Sequence, residues 1–189
     1  MKSLLTGTAL ALLMAASWAE AATVVIGNGG SRLILRIGTN NATVNLVSIA
    51  VPGANVGDGT PVVGTSGITS APCAANLVYI SAENRATPAN SRTATLTVSS
   101  ATPLTTGAFT IPFTQIDWIS TAPGGGPNAC FAAPITIASG AFTGAAGQTM
   151  TSFLNSRRAC VCKQFRYLNQ NVVSAGTYTG RVTYTLAMP

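Results

Sequence analysis

The stretch SAGTYTGRVTYTLAMP, residues 174–189, decides the fold. From Tyr178 onward, Tyr178, Gly180, Val182, Tyr184, Leu186 and Met188 fall on one side. Thr179, Arg181, Thr183, Thr185 and Ala187 fall on the other. Side chains of a strand alternate between its faces with a period of two. The stretch therefore reads as a strand with one apolar and one polar face. An apolar strand edge left open is a template for pairing with another chain. The question is what pairs this one.

Working back from that strand, other segments show the same period between turn residues. SRLILRIG places Leu33, Leu35 and Ile37 on one face, and NATVNLVSIAV follows the turn GTNN. NLVYISA comes next. In SRTATLTVSS, Ala94, Leu96 and Val98 alternate with Thr93, Thr95 and Thr97. GAFTIPFTQIDWIS carries Phe109, Ile111 and Phe113, with Pro112 predicting an edge or a kink because proline cannot donate to a ladder. PITIASGAFTG and ACVCKQFRYL complete the set. Thr and Val enrichment favours strands. One short helix is predicted near Thr149–Asn155 in the Ala-rich GAAGQTMTSFLNSRRA. Many short strands separated by Gly, Pro and Asn predict an all-β sandwich or barrel. The loops PGANVGDGTPVVGTSG and STAPGGGPN read as spacers of small residues.

The N-terminus sets the expected compartment. MKSLLTGTALALLMAASWAEAA has one Lys, an apolar run from Leu4 to Trp18, and the small-residue site Ala19-Glu20-Ala21. This is the pattern of a secretory signal peptide over residues 1–21. No later stretch is long and apolar enough to suggest a membrane span. The remaining chain, from Ala22, holds three acids (Asp58, Glu83, Asp117). Its nine bases are Arg32, Arg36, Arg85, Arg92, Arg157, Arg158, Lys163, Arg166 and Arg181. Those bases are scattered in sequence, and with export expected no nucleic-acid partner is predicted.

Cys73, Cys130, Cys160 and Cys162 make an even set, which in an exported chain predicts two disulfides. Cys160 and Cys162 lie two apart and point the same way in a strand. Bridging them would close a small strained ring. Each is expected to reach a different partner, with the pairing among the remaining two connectivities left open.

Much catalytic chemistry is excluded by composition. There is no histidine, which removes Ser-His-Asp and Cys-His catalysis and His-dependent metal sites. Asp58 in VGDGTP reads as a turn residue, since one carboxylate is too few for a calcium cage. GNGG has too few glycines and no following helix for a phosphate loop. NAT at Asn41 is a glycosylation sequon. CVC, flanked by Arg157, Arg158 and Lys163, admits a redox reading, but it is not C-x-x-C and no βαβ pattern surrounds it. No enzyme activity, cofactor or metal is expected.

Gly176, Tyr178, Gly180, Val182, Tyr184 and Leu186 follow the form Gly-x-Tyr-x-Gly/Asp-x-Val-x-Tyr/Phe-x-Leu. The ending thereby resembles that of bacterial chaperone–usher pilus (fimbrial) subunits, with a glycine fourteenth from the end. The related spore-coat-U-like secreted proteins share much of the pattern. Two departures concern the subfamily: Met188 stands where many members have Tyr, and the early-strand cysteine is absent. The resemblance implies an immunoglobulin-like sandwich lacking its last strand, with a hydrophobic groove bordered by the terminal strand. A periplasmic chaperone, and then the N-terminal arm of a neighbouring subunit delivered at an outer-membrane usher, would fill it by β-strand addition. The implied contact residues are Gly176, Tyr178, Val182, Tyr184 and Leu186.

For the donor arm, residues 22–30 carry Val24 and Ile26 in alternation. Either the arm extends through Leu33, Leu35 and Ile37, or residues 22–30 are a short lead and the sandwich domain spans 31–189. The expectation is an exported, non-enzymatic fibre subunit serving adhesion or biofilm formation. Its rivals are a self-contained secreted β-sandwich adhesin or binding module and a redox protein using Cys160 and Cys162.

Overall fold

The computed structural model describes residues 22–28, 31–38, 47–53, 56–66, 72–85, 92–124, 130, 135–154 and 157–188. The signal segment 1–21 and the sequon at Asn41 lie outside them. The described strands are β1 (Ala22–Asn28), β2 (Ser31–Ile37), β3 (Val47–Val51), β4 (Val62–Val63), β5 (Thr65–Ser66), β6 (Val78–Asn84), β7 (Ala94–Ser99) and β8 (Leu104–Thr106). They continue with β9 (Phe109–Ile111), β10 (Ile116–Thr121), β11 (Gly140–Ala141), β12 (Gln148–Phe153), β13 (Arg157–Tyr167), β14 (Gly176–Tyr178) and β15 (Thr183–Ala187). The fold is an all-β sandwich of antiparallel sheets.

One layer is a single sheet in the order β1-β2-β6-β13-β10-β11, with β4 pairing the far end of β13. Facing it are β12-β7-β15, β14-β3-β5 and the β8-β9 hairpin. Alternation dictates the core between them. Ala94, Leu96 and Val98 of β7 are fully buried, while Thr95 and Thr97 lie between them on the other face. From the large sheet come Leu35, Val78, Ile80, Ala82, Ala159, Val161, Phe165, Tyr167, Ile116 and Trp118. Burying each large apolar side chain of this kind contributes about 1.5–3 kcal/mol. Phe142 packs between Trp118 and Phe165, with ring centroids 4.9 and 5.9 Å away.

Three local expectations change. The helix expected over Thr149–Asn155 is strand β12 through Phe153, paired with β7 and bulged between Thr149 and Thr151; Asn155 lies outside the described residues. The β-branched Thr149 and Thr151 and the available edge of β7 outweigh the local alanines. Pro112 does more than kink its segment. It ends β9, opens a 3-10 turn over Phe113–Gln115, and lets β10 begin afresh between β13 and β11 of the large sheet.

The terminal stretch is not one strand. β14 pairs β3, whereas β15 pairs β7 in another sheet. Between them, Thr179 bridges Thr105, and Gly180 lies so close to β8 that a Cβ there would stand 2.9 Å from the Leu104 Cγ. Only glycine passes at that distance. Tyr178, fully buried, donates its hydroxyl to the Ser174 carbonyl at 2.8 Å. This bond ties the end of β14 back to the loop that precedes it.

Asp58 lies in a turn, accepting from the Thr60 N–H at 2.8 Å. The surrounding loop is pinned by Asn169, which is buried. Its Nδ2 donates to Asp58 and its Oδ1 accepts from the Gly57 N–H. Among the described residues, no helix is long and apolar enough to cross a membrane.

Candidate functional site

Strand β13 organises the chemistry, because its two faces meet different surroundings. Its even-numbered residues point away from the sandwich core. Cys162 is bridged to Cys73 and Cys160 to Cys130, with Cα separations of 5.6 and 6.2 Å. The two neighbouring cysteines thus take different partners, as their spacing predicts. With Tyr79 and Leu77 they form a second small apolar cluster on the outer side of the sheet. This cover explains why every residue of β6 is buried, although one of its faces turns away from the main core.

On the same outer face, Glu83 of β6 is only 5% exposed. Arg158 Nη2 donates to it at 2.6 Å, Arg85 Nε also donates to it, and Arg36 Nη1 stands 3.7 Å away. Burial alone would push the Glu83 carboxyl up. The hydrogen bonds and charges of Arg85 and Arg158 outweigh it and hold the carboxyl below its ordinary value. Further along, Arg166 makes a two-pronged pair with Asp117. Bases distant in sequence are brought together by pairing: Arg157 opposes Asn84, Arg158 opposes Glu83, and the Arg85 N–H bonds the Arg32 carbonyl.

The odd-numbered face of β13 enters the core as Ala159, Val161, Lys163, Phe165 and Tyr167. Lys163 is fully buried. Its Nζ lies 3.9 Å from the Trp118 ring centroid and 5.9 Å from that of Tyr184, a cation–π arrangement. Among the described residues Nζ has no hydrogen-bond partner, and neither has the buried hydroxyl of Tyr184 or of Ser120. Ser120 stands directly opposite Lys163 across β10 and β13. Burial pushes the Lys163 amine down to about 7 and the Tyr184 phenol up. In the sequence Lys163 reads only as a base beside the cysteines. The signal that finds it is parity, since it interrupts the apolar row of ACVCKQFRY.

The terminal residues border an open edge. β15 pairs β7 on one side, and among the described residues no strand pairs its other side. Val182, Tyr184 and Leu186 pack against the core but remain half-buried, while Thr183, Thr185 and Ala187 are exposed. Across the layers β15 approaches β2, whose Leu33 and Ile37 are likewise half-buried against the core. Gly176 and Tyr178 are apart from this seam, paired with Val51 and Ile49 of β3. Leu33, Leu35 and Ile37 lie in β2, paired with β6. Val24 and Ile26 lie in β1, opposite Leu35 and Leu33 in the β1–β2 hairpin.

No family model matches the chain, and no curated protein or solved structure does so significantly. Among the described residues no group of three or more His, Cys, Asp or Glu is placed to hold a metal ion.

Proposed function

We propose that this chain is a structural subunit of an exported surface fibre, a pilus or fimbria supporting adhesion or biofilm formation. A strand from another chain completes its sandwich along β15. The observation that carries this reading is the seam between β15 and β2. Among the described residues no strand pairs this edge, which runs beside a row of inward-facing apolar residues that are only half-buried. A strand added there gains backbone hydrogen bonds from β15 and pockets for alternate side chains. Resemblance of the Gly176–Leu186 pattern to chaperone–usher subunits points the same way. It supplies the partners: a periplasmic chaperone and usher in transit, then neighbouring copies or related subunits. The role is structural, not catalytic.

A second reading, a self-contained secreted adhesin or binding module, is favoured by one observation. β1 pairs β2 along all seven of its residues, so the N-terminal segment is engaged within its own chain. In the fibre reading that hairpin opens during assembly.

Two variants of adjacent residues separate the readings. Leu186→Asp puts a carboxylate on the inward row, away from Lys163, at a cost of several kcal/mol, whereas Thr185→Asp stays in water. Electron microscopy and unheated denaturing gels are expected to show fibres and heat-labile multimers for the wild type and Thr185→Asp, and neither for Leu186→Asp. Monomers only from the wild type, or equal assembly of both variants, overturns the fibre reading.

A further inference from the structure

We infer that the strand received along β15 carries an aspartate or glutamate that pairs with Lys163, and that this strand belongs to a different protein. The inference rests on the strand-addition reading and names the chemistry of the incoming partner. Three strands place polar groups on the inner face beneath the seam: Lys163 from β13, Ser120 opposite it on β10, and Tyr184 on β15, whose ring lies 5.9 Å from the Lys163 Nζ. Their Nζ, Oγ and phenolic oxygen are all buried and without hydrogen-bond partners among the described residues.

An interior polar group left unpaired is costly, and an unpaired ammonium is costlier still. All three groups can donate. The complementary group is therefore an acceptor, and a carboxylate offers about four lone-pair positions with the opposite charge. An amide or carbonyl would satisfy one or two donors and leave the charge uncompensated.

Among the described residues none supplies this carboxylate from the inner face. Glu83 and Asp117 point to the opposite side of the large sheet, on Arg85, Arg158 and Arg166. Asp58 is engaged by Asn169 in a surface turn. A second copy offering β1, ATVVIGN over Ala22–Asn28, would bring no acid. Tyr184 is the link to the edge. Its ring belongs to the half-buried row beside which an added strand would run, and the same ring lies 5.9 Å from the Lys163 Nζ.

The test uses the whole exported chain, both disulfides intact, and fluorescent peptides of the sequence ATVVIGN. Each position of the peptide is replaced in turn by Asp, and binding is read by anisotropy at pH 6.5. At one inward-facing position Asp is expected to tighten binding by about tenfold over the parent, the scale of one charge-assisted hydrogen bond. The gain is expected to vanish in Lys163→Met and to shrink at pH 9.5, where the amine is largely neutral. If Lys163→Met fails to bind the parent peptide, Tyr184→Phe and the wild-type pH dependence carry the test. Parent binding with no Asp preference, or a preference that survives Lys163→Met, overturns this inference alone. No binding by any peptide overturns this inference, while the strand-addition reading stands or falls separately on the fibre assembly of the Leu186→Asp and Thr185→Asp variants.

Discussion

On the outer face of β13, Arg158 meets a Glu83 carboxylate that Arg85 and Arg36 also reach, and two disulfides close over the strand beside it. On the inner face of the same strand, Lys163 is buried against Trp118 and Tyr184 with no anion among the described residues. One face is electrostatically complete within the chain and the other is not. A buried charge with partners on all sides holds a structure in one arrangement. A buried charge without one raises the free energy of the chain on its own and lowers it when a partner arrives. The difference teaches which face the chain completes by itself, and under the strand-addition proposal the other face is where a second molecule would be received.

The largest test of the finished face is loss of its bridges. Cys73–Cys162 spans 89 residues and Cys130–Cys160 spans 30. Loop-closure entropy gives about 4–5 kcal/mol for the first and about 3–4 for the second. Urea unfolding of the Cys73→Ala/Cys162→Ala and Cys130→Ala/Cys160→Ala pairs is expected to rank in that order. A negligible loss from either pair would mean that the outer cover does not hold the sheet.

Glu83→Gln is the next effect in size. It leaves the Arg36, Arg85 and Arg158 guanidiniums facing one another around a neutral amide. The loss is about 2–3 kcal/mol, below the usual figure for a broken buried pair because Arg85 is partly in water. The sign with pH follows from the depressed carboxyl. Its contribution is present above the ordinary Glu value near 4.3 and is lost as pH falls through the lower folded value. Wild type is expected to lose stability on that acid limb faster than Glu83→Gln. Parallel curves would mean that the carboxylate gains nothing from its arginines.

How much of this was legible in the sequence follows the same division. The period-two rows of β7 and β15 were readable because one face of each meets the core and the other meets water. Ala94, Leu96 and Val98, and likewise Val182, Tyr184 and Leu186, lie where alternation puts them. The CVC spacing announced two bridges to separate partners, because geometry forbids the alternative. The grouping of Arg36, Arg85 and Arg158 around Glu83 was not readable, since strand pairing between distant segments creates it. The split between β14 and β15 was hidden because an unbroken alternation continues through Gly180, whose closeness to Leu104 is a tertiary fact. The helix expected near Thr149 failed because local composition ignored the edge that β7 offers. Lys163 was legible in principle, as a lysine on an apolar row, but its loneliness depends on where every acid in the fold ended up.

The smallest expected change, and the one that runs opposite to the others, is Lys163→Met. Burial holds the Lys163 amine at about 7, whereas in the unfolded chain it titrates near 10.4. Below pH 7 both states are protonated, and the folded chain bears the full cost of an unpaired buried ammonium. Between about pH 7 and 10 the folded chain releases its proton while the unfolded chain keeps it, so stability rises with pH across that window. Near pH 10 the rise turns over. The unfolded tyrosines ionise there, while Tyr184, its phenol pushed up by burial, holds its proton. Methionine fills similar space without charge and gives up the cation–π contact with Trp118. The net gain at pH 6.5 is about 1–3 kcal/mol, shrinking as pH approaches 9.5. Urea unfolding of both proteins from pH 6 to 9.5, disulfides intact, reads this directly, because every other titrating group cancels in the difference. A difference that does not vary with pH would mean that Lys163 keeps its proton throughout. The inner face would then be as complete as the outer one, and the contrast between them would collapse.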